Sequence, residues 1–545
     1  MPQPPTEDAD YIIIGAGSAG CVLADRLSES GRHSVCLLEA GGKDWHPYIH
    51  IPIGYGRTFT DRRFNWMYET EPDPGINGRR SYWPRGKVLG GSSSINAMVY
   101  VRGHPRDFED WQAAGNPGWG WPEVLPWFRH SEDNEREPDP WHQRGGRLGV
   151  SSTDDQVHPL CHNFLAAATE AGFAITEDFN GEHMEGVGLY QITTQNGRRS
   201  STARAFLSPA RRRSNLRIET HAMVSKIGFE SGRASTVSYT QRGQPRTLRA
   251  NREIIVSAGA INSPQLLELS GIGNPEHLRA RGLEVQVANN NVGEHLQDHI
   301  GINYYYRSRV PTLNDSLHPW HGKLREGIKY LLTRRGHLSL SVNQAGGFIR
   351  TSPGLAAPNM QLYFTPISYT RAKPGQRLLM NPDPFSAYLM GFQACRPTSR
   401  GSVHIHDSNP DTAPTIKPGY LDTEEDREEV IAACHLMRRL AAAPSLSSIT
   451  ENEYEPGIEL SDDDELLEDF RDRADTVFHP IGTCRMSDDA SQSVVSASLQ
   501  VHGVTCLRVV DASVFPNLTS GNTNAPTIMV AERASQLILE DANSV

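Results

Sequence analysis

The first hydrophobic run in the chain is Tyr11-Ile12-Ile13-Ile14, apolar without alternation. Such a run predicts a strand covered on both faces, as in a parallel sheet. A glycine turn follows, and over residues 18–28 Val22, Leu23 and Leu27 fall on one side of a predicted helix. Ser34-Val35-Cys36-Leu37-Leu38 predicts a second buried strand ending at Glu39. Strand, helix and strand within about 30 residues make a βαβ unit. Residues 41–147, dense in Gly, Pro and Trp, predict a long functional loop region. Short strands alternate with turns over 216–253, and 253–259 predicts another buried strand. In the helix after it, Ser263 is the expected N-cap, Pro264 the first helical residue and Gly271 the stop. Strands are expected at 359–365 and 402–406, and a helix at 423–442. The chain closes with a strand at 507–510, a glycine-rich turn and a helix over 526–539.

Composition narrows the function classes. Of 545 residues, 53 are Lys or Arg and 64 are Asp or Glu, a net charge of −11. The densest basic cluster is Arg211–Arg213, so no basic face for nucleic acid is expected. Seven scattered cysteines include no C-x-x-C pair, the usage of an enzyme with reduced thiols. The acidic N-terminus lacks the apolar core of a signal peptide. No window of about 18 uninterrupted apolar residues predicts a membrane span. The expected location is the cytoplasm, with peripheral contact at the inner face of the membrane left open.

Gly15-Ala16-Gly17-Ser18-Ala19-Gly20 is G-x-G-x-x-G between a strand and a helix. Gly15 permits the tight turn, Gly17 the approach of a pyrophosphate, and Gly20 close packing of helix on strand. The helix N-terminus turns free N–H groups and a positive dipole end toward the phosphates. Glu39 ends the second strand 19 residues after Gly20, where a ribose hydroxyl needs an acceptor. FAD and NAD share this motif, and the motif alone does not separate them.

Four further blocks do. They are residues 85–100 (Arg-Gly-Lys-Val-Leu-Gly-Gly-Ser-Ser-Ser-Ile-Asn-Ala-Met-Val-Tyr), 257–273 with Ser263-Pro264-Gln265-Leu266-Leu267, and 292–299 with Gly293-Glu294-His295-Leu296-Gln297-Asp298-His299. The last joins His479-Pro480-Ile481-Gly482-Thr483 to Asp511-Ala512-Ser513 and Asn522-Thr523-Asn524-Ala525-Pro526-Thr527. With these blocks the chain resembles the glucose–methanol–choline (GMC) oxidoreductases over nearly its whole length, nearest their bacterial alcohol and choline dehydrogenase branch.

The resemblance implies an α/β protein: a Rossmann-like FAD-binding domain plus a substrate domain with a mostly antiparallel sheet and helices. The FAD domain is expected from residues 8–155, 200–300 and 490–545, and the substrate domain from 156–199 and 301–489. Beyond Gly15, Gly17, Ser18, Gly20 and Glu39, the implied FAD contacts are Ala40, Trp66, Val88, Gly91, Asn96, Ala97, Met98 and Val99. Val224 is expected to meet the adenine through its backbone. Ala258, Asp511, Ala512, Asn522, Pro526 and Thr527 complete the set. Some members attach FAD covalently through a histidine; Ile95 stands at that position here, which implies non-covalent FAD.

His479 and Asn524 are the implied catalytic pair. Histidine suits an alcohol proton because its ordinary pKa of about 6.5 lies near working pH, and Asn524 would orient the alcohol oxygen. His295 and His299 are expected to be structural, near the pyrophosphate. His404 and His406 show no third ligand nearby in sequence, so no metal site is expected. The implied activity is oxidation of a primary alcohol to an aldehyde, with electrons passed to a quinone-like acceptor rather than NAD. Use of O2, and a non-redox lyase of cyanohydrin type, are the alternatives. The substrate is not legible; Tyr304, Tyr305, Tyr306 and Glu69 are candidate walls for a cationic alcohol.

Overall fold

The computed structural model describes residues 7–369 and 381–544; residues 1–6, on which part of the N-terminal reading rests, lie outside them. In chain order the elements that matter here begin with β1 (Glu7–Ile14), α1 (Ser18–Ser28), β2 (Val35–Glu39), β3 (Gly186–Leu189), β4 (Leu216–Thr220), β5 (Ala222–Glu230), β6 (Arg233–Gln241) and β7 (Gln244–Val256). Then come α2 (Gly259–Leu269), β8 (Ile300–Ser308), α3 (Leu313–Leu317), α4 (Trp320–Thr333), β9 (Ala345–Ile349), β10 (Met360–Thr365) and β11 (Ala387–Ala394). The last are α5 (Glu424–Ala442), β12 (Thr450–Glu455), β13 (Asp475–Thr476), β14 (Leu507–Val509) and α6 (Asn524–Ser544).

Two seven-stranded sheets organise the protein. The first runs β4-β2-β1-β7-β6-β5, with β14 also on β7. Its β4, β2, β1, β7 and β14 pairings are parallel, and β7-β6-β5 is an antiparallel meander. Ile12, Ile13 and Leu37 are wholly buried, as an unalternating parallel strand requires. The second sheet runs β12-β8-β11-β10-β9-β3, with β13 on β8, and every pair is antiparallel.

Two of the boundaries that differ from the sequence reading bear on the site. The helix after β7 starts at Gly259, so Pro264 lies inside it and Ser263 is not its cap. Proline has no N–H for the carbonyl four residues earlier. Here that carbonyl, of Ala260, accepts instead from the Thr483 hydroxyl at 2.7 Å. The last helix begins at Asn524, two residues before Pro526. Besides two short helices, the region 41–147 contains two longer ones, Pro105–Ala113 and Trp121–Ser131, each with proline in its first turn, where a missing N–H costs nothing.

Candidate active site

A cavity of about 1110 Å3 runs from the end of the first sheet to the face of the second. At one end it meets the turn between β1 and α1. A Cβ on Gly15 would come within 2.5 Å of the Ser257 carbonyl, and one on Gly20 within 1.9 Å of the Gly15 carbonyl, so packing demands glycine at both. Gly17 is different: a Cβ there would approach nothing closer than 3.9 Å. Gly17 also caps α1 without any side-chain bond and faces the cavity. An uncapped helix N-terminus behind a bare glycine suits a pyrophosphate.

Gly15, Gly17, Ser18, Glu39 and Ala40 line this end of the cavity, with Val224 and Ala258 nearby. Both Glu39 oxygens accept backbone N–H groups, from Ala16 at 2.9 Å and Gly41 at 2.7 Å. Burial pushes its carboxyl up to about 7, against those two hydrogen bonds. Trp66, Gly91, Asn96, Ala97, Met98 and Val99 form another wall. Asn96 is held by Arg199 at 2.6 Å, and Lys87 lies 4.0 Å from the centre of the Trp66 ring. Asp511, Ala512, Asn522, Asn524 and Thr527 close the cavity. Asp511 bonds Gly259, Ser263 and Ser513, tying the start of α2 to the turn after β14.

Three expected contacts do not face the cavity. Gly20 is the packing glycine just described. Val88 is wholly buried in a small cluster with Ile49, Phe64 and Ile95. Pro526 is buried within the first turn of α6, where its missing N–H costs nothing.

His479 lines the cavity and is 8% exposed. Its backbone N–H donates to Asp298 at 2.7 Å, and Arg85 holds the Phe478 carbonyl at 2.7 Å. The side chain sits in a chain of hydrogen bonds whose polarity can be derived. The Cys395 carbonyl, 2.9 Å from His299 Nε2, can only accept, so that nitrogen carries the proton. In neutral His299, Nδ1 is then the acceptor, and it lies 2.9 Å from His479 Nδ1. His479 therefore carries its proton on Nδ1 and turns the lone pair of Nε2 into the cavity. There it accepts from Asn522 Nδ2 at 3.1 Å. Burial, then His299 and Arg85, hold His479 well below its usual 6.5; burial likewise lowers His299 to about 4.

This geometry corrects two expectations. Asn522, not Asn524, meets His479. Asn524 faces the other way, its Oδ1 accepting from Ser18 Oγ at 2.8 Å, and joins α6 to α1. His299 is not a remote structural residue but the direct partner of the cavity histidine. Its contact spans 180 positions, and only the Gln297-Asp298-His299 block itself could have pointed to it. His295 instead bonds Asn291 at 3.1 Å.

Of the tyrosine triplet, only Tyr305 lines the cavity, as does Glu69; Tyr304 and Tyr306 lie in the core of the second sheet. Phe59, packed against Phe478 at 5.1 Å and Tyr82 at 5.6 Å, makes the wall next to His479 aromatic. His404 has neighbours that its sequence position hid: Glu268, His277 and His404 bring ligand atoms within 4.8 Å of one another. Both His404 nitrogens are engaged, by Glu268 at 2.8 Å and Glu294 at 3.0 Å. Burial opposes the charge, but these two carboxylates carry His404 up to about 9, a half-buried, ion-paired imidazolium.

Comparison with known proteins decides the family. Residues 9–301 match the N-terminal and 397–531 the C-terminal GMC oxidoreductase family model. The chain belongs to the GMC oxidoreductases. It is 42% identical to an alcohol dehydrogenase [acceptor] of Pseudomonas putida, covering 97% of this chain and 95% of that one. It is 41% identical to an oxygen-dependent choline dehydrogenase of Vibrio vulnificus, covering 97% and 94%. Among solved structures it superposes on a pyridoxine 4-oxidase from Mesorbium loti with a TM-score of 0.87, at 32% identity over 97% and 98% of the two chains. GMC oxidoreductases bind FAD, and the uncapped α1 turn, the bare Gly17 and the extended cavity fit that dinucleotide. No described helix is long and apolar enough to cross a membrane.

Proposed function

We propose that this GMC oxidoreductase oxidises a primary alcohol to an aldehyde, with His479 as the base for the hydroxyl proton. The observation that carries the reading is the direction of the hydrogen-bond chain, which leaves His479 Nε2 as an unprotonated acceptor facing the cavity. An alcohol oxygen set between His479 and Asn522 donates its proton to Nε2 and accepts from the Asn522 amide. As the proton leaves, the amide dipole stabilises the growing alkoxide. Asn522 is positioned for this by Gln361, 3.5 Å from its carbonyl, which is in turn held by Gln393 at 3.0 Å. FAD, when bound, supplies the hydride acceptor. The His479 cation formed in the step is disfavoured by burial and Arg85, so the proton is readily given up again.

Phe59, Tyr82 and Phe478 give the alcohol an aromatic wall beside His479, a surface that suits apolar and cationic alcohols alike. Ile95 supports non-covalent FAD, which acid precipitation should release into the supernatant. Flavin retained in the pellet would rule this out. Resemblance to the bacterial alcohol dehydrogenase branch favours a quinone-like acceptor, whereas the likeness to the oxygen-dependent choline dehydrogenase and to the pyridoxine 4-oxidase favours O2. An alcohol panel under anaerobic conditions tests the activity through bleaching of the flavin; a chain that never bleaches with any alcohol is not a dehydrogenase or an oxidase. Repeating the panel with a quinone analogue and with O2 then separates these two, and the quinone is expected to turn over faster.

A further inference from the structure

One helix far from the chemistry carries an unusual surface. In α4, Trp320, Leu324, Ile328, Leu331 and Leu332 are each 50–81% exposed. They are five of the nine large apolar side chains that stand exposed among the described residues. Steps of three and four residues put them on one stripe of the helix. Single exposed apolar residues need no explanation, but a contiguous stripe does. The opposite face is firmly attached: Gly322, Glu326 and Tyr330 are buried, and the Tyr330 hydroxyl donates to the Gly197 carbonyl at 2.9 Å. The stripe is therefore a fixed outer face of the fold.

Charge says what it faces. Lys323, Arg325, Lys329, Arg334 and Arg335 are all exposed on α4 or just after it, and Glu326 is the one carboxylate of the segment 320–335. This cationic patch stands on a chain of net charge −11. In a twofold dimer the patch would meet its own copy, cation against cation, which is a poor electrostatic match. An apolar stripe bordered by long cations instead matches a lipid interface, where apolar side chains enter the acyl boundary and Lys and Arg reach anionic headgroups. The position also makes sense. Leu313 and Leu317 of α3 pack with Ile53, Leu338 and Val342, and Val342 lines the main cavity. The helix pair thus sits on the wall of the active-site cavity.

We propose that α4 docks this enzyme on an anionic membrane surface, with its apolar stripe in the interface and its cations on the headgroups. Sedimentation with vesicles tests it, comparing phosphatidylcholine alone with an equal mixture of phosphatidylcholine and phosphatidylglycerol. The whole enzyme should bind the anionic vesicles, and added salt should weaken binding. Leu324→Glu/Leu332→Glu should lower that binding about tenfold or more, and Lys323→Glu/Lys329→Glu should do so at low salt, because the cations that meet the headgroups are lost. Both variants should keep the circular dichroism spectrum and soluble-dye activity of the parent, since none of these side chains borders the cavity. Equal sedimentation of parent and variants, or none by the parent, overturns the proposal. So does a stable dimer in light scattering that both sets of substitutions dissolve, because the stripe would then be a self-association face.

Discussion

The two imidazoles of His299 and His479 meet Nδ1 to Nδ1 at 2.9 Å, their planes nearly perpendicular. Because the far nitrogen of His299 is committed to the Cys395 carbonyl, this contact sets which nitrogen of His479 is free. The expectation follows for two variants. His299→Ala removes the acceptor, leaves the His479 Nδ1–H unpaired, and frees the ring to take the other tautomer; flavin reduction should fall about 10–100-fold, the usual cost of losing a supporting partner. His299→Asn keeps an acceptor oxygen near the same place and should retain most of the plateau rate. Equal losses in both variants would mean that His299 only fills space.

The pH profile of flavin reduction should reflect the lowered affinity of His479 for protons. A base works in its neutral form, and burial, His299 and Arg85 hold His479, the proposed base, well below 6.5. The rate is thus at its plateau at neutral pH and falls only as pH drops below 6.5, through the depressed pKa. His479→Ala should lose about 10²–10⁴-fold and lack the acid limb, while still retaining flavin. In His299→Asn the limb should move upward toward 6.5, since one of the groups disfavouring the His479 cation is gone. Anaerobic stopped-flow across pH reads all three; an unchanged limb in His479→Ala assigns the base elsewhere.

A buried Thr–carbonyl contact makes a stability test. Thr483 Oγ1 donates to the Ala260 carbonyl that Pro264 leaves without its helical partner. Thr483→Val preserves shape and removes that donor, and leaving a buried carbonyl unpaired costs about 1–3 kcal/mol. Chemical denaturation should show that loss with little change in the steepness of the transition. No loss would mean that the carbonyl finds another partner once the hydroxyl is gone.

How much of this was legible before the fold was known varies by residue. The helix of residues 18–28 was readable from local pattern, because strand burial, glycine turn and helical spacing all agree there. The start of α2 was not, because Ser263-Pro264 carries a strong local start signal that a distant threonine overrides. The exposed stripe of α4 has helical spacing, but it follows Pro319 with no side-chain cap, so no capping residue marks where its helix begins. His299 was invisible in its role, since sequence shows neither the perpendicular ring nor the carbonyl behind it. Choosing between two asparagines in Asn522-Thr523-Asn524 needed the turn itself: Gly521 has a φ of +96°, and α6 starts at Asn524. A displacement of two residues there reverses which asparagine faces the base.

That choice yields the most discriminating prediction. Asn522 donates to His479 and is braced by Gln361, whereas Asn524 accepts from Ser18 at the start of α1. Asn522→Ala removes a donor aimed at the alcohol oxygen, and the loss of one such donor typically costs about 10²–10³-fold in rate. Its flavin content should stay near that of the parent, because its partners are side chains of the substrate side. Asn524→Ala cuts a tie between α6 and α1 beside the phosphate turn. It should lower flavin retention after gel filtration, and the fraction that keeps flavin should reduce it at close to the parent rate. Flavin content and single-turnover reduction, measured on both variants, separate the two roles. If Asn524→Ala loses rate at full flavin content while Asn522→Ala does not, the pairing read from the geometry is reversed, and Asn524 is the residue that orients the alcohol.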